Sequence, residues 1–215
     1  MAYLVKEVFY TLQGEGARSG RPAVFCRFAG CNLWTGRERH RPTAICRFCD
    51  TDFVGTDGPG GGRFSSAGEL AGAVAAAWTG SGHPEAVRYV VCTGGEPLLQ
   101  LDDALVGALH EQGFEVGLET NGTLPAPAGI DWVCVSPKAV APIRLARADE
   151  LKLVYPQDGL MPEDAERLDL VADRLYLQPM DGPLLAEHTR ACVEYCLAHP
   201  QWSLSLQTHK LLGIP

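Results

Sequence analysis

Short apolar runs alternate with helical patterns along this chain, and that alternation restricts the fold more than any other feature. Strand-like runs stand at Pro22–Ala29 (PAVFCRFA), Arg88–Cys92, Glu115–Glu119, Trp132–Ser136, Glu150–Val154, Arg174–Gln178 and Ser203–Gln207. Helical spacing covers Ser66–Trp78, opened by serines that can cap it, and Leu101–Gln112, with Asp102 and Asp103 in its first turn and Gly113 just past its end. The most amphipathic stretch is Leu184–His199. Strands alternating with helices predict an α/β fold of mostly parallel βα units. Several connections are too short for a full helix, so a complete eight-fold barrel does not fit the length. We expect a partial, incomplete βα-barrel over residues 1–215 as a single domain, with functional groups at the C-terminal ends of its strands. An open doubly wound sheet is the alternative, and Gly55–Gly62 (GTDGPGGG) is expected as a flexible surface loop.

Charge narrows the partners. The net charge of -8 argues against a broad phosphate-binding face, and so against nucleic acid, while a local arginine cluster could still hold a small anion. Lys6 and Glu7 interrupt the only apolar stretch near the N-terminus, which therefore lacks the core of a secretory signal. No run approaches the roughly 18 apolar residues of a membrane span. These features predict a cytoplasmic protein with no membrane partner, in which eight cysteines would not be paired as disulfides.

Five of those cysteines are expected to pack in the core. Cys26, Cys92 and Cys134 lie inside apolar strand runs, and Cys192 and Cys196 share a helical stripe with Leu185, Thr189, Val193 and Leu197. Cys31, Cys46 and Cys49 differ, because they lie in a segment rich in Arg, Thr and Gly that could form no core of its own. Fourteen residues separate the first two and two separate the last pair. Cys46-Arg47-Phe48-Cys49 lets two thiolates converge on one metal. Spacing alone leaves several chemistries open: a structural zinc with His40 as fourth ligand, a catalytic zinc with an open position, a redox pair, or an iron–sulfur cluster with one iron free.

Other segments add context. FYTLQGEG, CRFCDTDF, CTGGEP, LETNG, SPK, QPMDG and QTHK follow one another over most of the chain. In that order they resemble the radical S-adenosylmethionine superfamily and, within it, the 7-carboxy-7-deazaguanine synthases. The usual three-cysteine motif of the superfamily has a first gap of three residues; the expanded gap here resembles a subset of this one family.

The resemblance implies a radical lyase that contracts the ring of 6-carboxy-5,6,7,8-tetrahydropterin to give 7-carboxy-7-deazaguanine and ammonia, in queuosine and deazapurine biosynthesis. It implies a [4Fe-4S] cluster on Cys31, Cys46 and Cys49 in a loop at about 30–56, with S-adenosylmethionine on the free iron. The cofactor would be contacted by Phe48, Cys49 and Asp50, by Gly94, Gly95 and Glu96, by Glu119, by Ser136, Pro137 and Lys138, and by Gln178, Pro179, Met180 and Asp181. Two glycines after a strand allow close backbone approach, and a strand-end carboxylate suits ribose hydroxyls. Leu12-Gln13-Gly14-Glu15 lacks the Gly-Lys-Ser/Thr of a phosphate loop. Gln13 instead carries the donor and acceptors that suit a pterin edge, and Arg27 could fork onto a carboxylate. By the same resemblance Thr93, His209 and Pro215 at the C-terminal tail meet the substrate, and Thr51 binds Mg2+ together with the substrate carboxylate. A homodimer and an external reductant such as flavodoxin are also implied. An activase acting on a partner protein and a zinc-stabilised binding module are the rival readings.

Overall fold

The computed structural model describes residues 2–80 and 87–215. The chain enters through β1 (Tyr3–Leu12), antiparallel to β2 (Pro22–Phe28), and β3 (Gly62–Phe64) runs antiparallel along the other side of β1. After α1 (Ala67–Ala77) come β4 (Arg88–Gly94), α2 (Asp103–Glu111), β5 (Phe114–Thr120) and β6 (Trp132–Val135). The two-residue strands β7 (Arg147–Ala148) and β9 (Val171–Ala172) form a ribbon of their own, around β8 (Glu150–Tyr155) and the short α3 (Pro162–Ala165). β10 (Leu175–Pro179), α4 (Leu185–Ala198), β11 (Trp202–Leu204) and α5 (Thr208–Leu212) complete the chain. The main sheet has nine strands in the order β11-β10-β8-β6-β5-β4-β2-β1-β3, parallel from β2 to β11. Its two ends do not meet, so the barrel is open.

Side-chain alternation explains which way the sheet faces. Val24, Cys26, Val90, Cys92, Val116 and Leu118 pack under α1 and α2, against Leu70, Val74, Leu105 and Leu109. Leu151, Leu153 and Leu177 pack under α4, against Cys192. Val133 bridges these two clusters, which places all three helices on one face of the sheet. That arrangement is the expected partial barrel and sets aside the doubly wound alternative, which needs helices on both faces. Each buried leucine contributes about 1.5–3 kcal/mol. The opposite parity, including Arg27, Thr93, Glu119, Lys152, Val154 and Gln178, faces a cavity. The capping signals act as expected: Ser66 accepts from Glu69 N, Asp102 accepts from Leu105 N, and Gly113 takes φ +77°.

Several expectations need correction. β1 was not expected as a strand, because a register shift between Val5 and Glu7 breaks its alternation just where Lys6 and Glu7 sit. Gly55–Gly62 is a docked segment and no free loop: Gly58 N donates to Lys6 O at 2.9 Å, and Val8 N to Pro59 O at 2.8 Å. A side chain at Gly58 or Gly60 would strike the backbone oxygen of Lys6 or Val8, each at 2.7 Å. On α4 Cys192 and Cys196 pack toward the sheet as expected, with Tyr195, but Leu185, Val193 and Leu197 of the same stripe are exposed, Leu197 at 81%. The last strand ends at Leu204, short of Gln207. All eight cysteines are free thiols, and none of the described helices is long and apolar enough to cross a membrane.

Candidate active site

The strand ends open into a cavity of about 420 Å³. Cys31, Cys46 and Cys49 line it, with Phe48, Asp50 and Thr51. So do Thr93, Gly94 and Gly95 at the end of β4, Glu119 on β5, and Ser136 and Lys138 after β6. Gln178, Pro179, Met180 and Asp181 close one side; Leu12, Gln13, Glu15 and Arg27 close another, and His209 and Pro215 reach in from the C-terminus. Twenty-two of the sequence-derived positions thus share one cavity. Gly14, Glu96 and Pro137 lie behind its wall.

The two glycines at the end of β4 serve the cysteine loop. A Cβ on Gly94 would meet the Phe28 carbonyl, and one on Gly95 would meet the Gly30 carbonyl and, at 2.8 Å, Cys31 Cβ. Glu96 N donates to Gly30 O at 2.9 Å, which locks the start of the loop to the end of β4. The Glu96 side chain is fully buried and its pKa is raised by that burial. It accepts from Thr120 Oγ1 at 2.7 Å, Asn121 N at 2.8 Å and Leu98 N at 3.0 Å, so it acts as a structural tie between β4 and β5. Gly14 similarly makes room for a ring, since a Cβ there would overlap His209 Nδ1.

Burial raises the pKa of Cys31, whereas a hydrogen bond from the Cys46 thiol lowers Cys49 to about 6; that bond and burial together push Cys46 well up. Among the described residues these three sulfurs do not all come within 4.8 Å of one another. A single zinc would need sulfurs about 3.8 Å apart, given Zn–S bonds of about 2.3 Å. His40, the candidate fourth zinc ligand, meets Thr35 Oγ1 at 2.8 Å and accepts from Arg39 Nε at 3.1 Å, away from the cavity. Cys46 and Cys49 are within hydrogen-bond reach of each other, and Cys31 lies beyond 4.8 Å from at least one of them.

Electrostatics of the interior centre on Lys152, which sequence reasoning missed. Its ammonium lies 2.7 Å from Glu15 and 2.9 Å from Glu119, and only 4% of the side chain is exposed. Burial opposes its charge, but the surrounding acidic groups raise its pKa well above the usual value. Burial likewise works against Glu15, yet Lys152 holds its carboxyl below the ordinary range; burial raises Glu119. Glu119, Cys134 and Glu150 cluster closely enough to suggest a metal site, but Lys152 already supplies the counter-charge there. Gln13 donates to Glu119 at 3.2 Å and its own oxygen accepts from Glu15 N at 3.1 Å. The signal for Lys152 was parity, since it shares a face with Glu150 in the otherwise apolar run ELKLVY.

Arg27 is not free to engage a ligand with its whole guanidinium: Nε donates to Glu7 at 2.7 Å, a cross-strand pair set by the β1–β2 register. Lys138 donates to Ser136 O and Oγ at 2.7 Å each and lies over the Phe48 ring at 5.8 Å, with its pKa lowered by burial. The tail docks through polar contacts: Thr208 N and Oγ1 donate to Gly14 O at 3.0 and 2.8 Å, and Thr11 Oγ1 donates to Pro215 O at 3.0 Å. Lys210 bridges Asp50 and Asp181 at 2.6 Å each. Its apolar residues do not dock it, because Leu211 and Leu212 are 73% and 64% exposed.

An open parallel βα-barrel with three cysteines gathered at its C-terminal mouth defines the radical S-adenosylmethionine class of enzymes. No family model matches the chain, but whole-chain relatives do. It is 65% identical over 215 residues to the 7-carboxy-7-deazaguanine synthase of Bordetella pertussis, and 61% identical over 215 residues to that of Caulobacter vibrioides, with full coverage of both chains in each case. The crystal structure of QueE from Escherichia coli matches with a TM-score of 0.67 at 29% identity, over 96% of this chain and 94% of that one. The chain belongs to the 7-carboxy-7-deazaguanine synthase family.

Proposed function

We propose that this enzyme converts 6-carboxy-5,6,7,8-tetrahydropterin to 7-carboxy-7-deazaguanine and ammonia, as the family name of its relatives suggests. The observation that carries this reading is the single cavity joining the three cysteines, the strand-end motifs and the C-terminal tail. Cys31, Cys46 and Cys49 would hold a [4Fe-4S] cluster in the loop at 30–56; three free thiols on the lining of one cavity support it. Cluster and S-adenosylmethionine together would supply the radical that starts and ends the reaction, and no residue of the chain carries the radical.

The chain's own groups position and shield. Gly94 and Gly95 offer backbone to the cofactor's methionine portion, Phe48, Cys49 and Asp50 face its adenine, and Glu119 takes its ribose hydroxyls. Ser136 and Lys138, with Gln178, Pro179, Met180 and Asp181, line its flank; Glu96 and Pro137 support these contacts from behind the wall. Gln13 and Glu15, fixed by each other and by Lys152, present the pterin-binding edge with Leu12 and Thr93, and Gly14 supports that edge from behind the wall by making room for His209. Arg27 turns the nitrogens not used by Glu7 toward the substrate carboxylate. Thr51 would hold Mg2+ with that carboxylate, since a hydroxyl needs the substrate's oxygens to complete a magnesium shell. His209 and Pro215 close the substrate side.

A homodimer in the cytoplasm, served by an external reductant such as flavodoxin, completes the reading. An activase of partner proteins would leave Gln13, Arg27 and the docked tail without a task. The test is anaerobic turnover of iron- and sulfide-reconstituted protein with reductant, Mg2+, S-adenosylmethionine and the carboxytetrahydropterin, followed by mass spectrometry. A product lighter by ammonia, in excess over cofactor consumed, is expected. Accumulation of 5′-deoxyadenosine alone would show the substrate assignment to be wrong.

A further inference from the structure

The fourteen residues between Cys31 and Cys46 have little apolar content, yet the loop is closed. Ile45 N and Cys46 N donate to Leu33 O at 3.1 and 3.4 Å. A short helical turn at Glu38–Thr43 then aims one side chain back at the cysteines. Arg41 Nη1 donates to the carbonyl oxygens of Arg47 and Cys49, at 2.9 and 3.1 Å. Its Nε and Nη2 fork onto Glu38 at 2.8 and 2.6 Å. The same guanidinium lies 4.0 Å over the ring of Trp34, which is only 6% exposed and meets Phe53 edge-on at 5.6 Å.

We propose that Arg41 is a positioning residue for the iron–sulfur cluster: it clamps the Cys46–Cys49 turn to the buried Trp34, so that a long loop still presents its cysteines in one fixed arrangement. The inference rests on reading these cysteines as cluster ligands. A longer loop loses more entropy on closure, and of these fourteen residues only Leu33 and Trp34 are buried. One planar guanidinium can serve two carbonyls, a carboxylate and an indole face together; an ammonium on a flexible stem cannot. Arg41 would also place a positive charge beside the thiolates, one of the factors that set a cluster's reduction potential.

The test compares wild type, Arg41→Lys and Arg41→Met after anaerobic reconstitution, reading iron per chain, iron release to a chelator and the paramagnetic spectrum of the reduced cluster. We expect both variants to keep the far-ultraviolet spectrum and melting transition of the apo protein. Arg41→Met should release iron about tenfold faster or more, as for lost outer partners of metal ligands, with an altered spectrum, and Lys should restore little. Wild-type retention and spectrum in Arg41→Met would overturn the clamp, as would full rescue by Lys, which would leave charge alone as the cause. A wild-type chain that takes up no four-iron cluster would overturn the underlying site reading, and the clamp with it.

Discussion

Lys152 holds an ammonium in the wall of the cavity, with only 4% of its side chain exposed, between two carboxylates at 2.7 and 2.9 Å. Removing one member of such a group costs about 3–5 kcal/mol, because the others stay buried without a counter-charge. Lys152→Met should therefore lower the urea midpoint of the cluster-free protein sharply, and adding Glu119→Gln should recover part of the loss. An unchanged midpoint in the single variant would mean that Glu15 and Glu119 do not depend on it. Gly95 acts at closer range. Gly95→Ala pushes a methyl into the Gly30 carbonyl and against Cys31 Cβ, so iron content after reconstitution should fall while the sheet stays folded; normal iron content would refute this. At this scale the sequence exposed residues whose chemistry needs a short motif, such as the cysteines and Gly94-Gly95-Glu96. It concealed residues defined by pairing, because Lys152 and Glu15 are 137 positions apart and Arg27 met Glu7 only through the strand register.

Elements were legible where period and caps agreed, as in α1, α2 and the parallel strands. β1 was obscured by its bulge, and the glycine segment beside it by a docking that involves backbone alone. The tail's apolar residues stay exposed, and it docks through Thr208, His209, Lys210 and Pro215 instead. That difference gives it a pH dependence. Burial lowers the pKa of His209 below its ordinary 6.5, with Glu15 and Asp50 opposing the shift and Lys210 and Lys152 adding to it. The docked state therefore favours the neutral ring. The stability this contributes is fully present above 6.5 and is lost as pH falls through the lowered folded value. Proteolytic release of the tail should rise between about pH 7.5 and 5.5 in wild type, and His209→Gln should flatten that rise. A wild-type tail equally resistant across the range would exclude the coupling.

The molecule divides its tasks between a rigid sheet and two segments laid across its mouth. The sheet's buried clusters involve β2, β4, β5, β8 and β10 with α1, α2 and α4. The cysteine loop instead buries only a few side chains, chiefly Leu33, Trp34 and Phe53, and otherwise hangs on individual polar ties: Lys6 to Asp52 and Asp57 at 2.9 and 2.8 Å, Asn32 to Thr123 at 2.7 Å, and Asp50 to Lys210 at 2.6 Å. Such exposed or half-exposed pairs contribute roughly 0–1 kcal/mol each, too little to order a loop without help. In the proposed holoenzyme that help is the metal cluster, whose binding energy stabilises whatever it crosslinks. Stripping the cluster should therefore loosen residues 30–56 and, through Asp50 and Lys210, residues 205–215, while the parallel strands keep their protection. Hydrogen exchange of reconstituted and chelated protein measures this directly. Uniform loss of protection through β4, β5 and β8 would mean that the cysteine loop is part of the core and that the sheet does not stand without it.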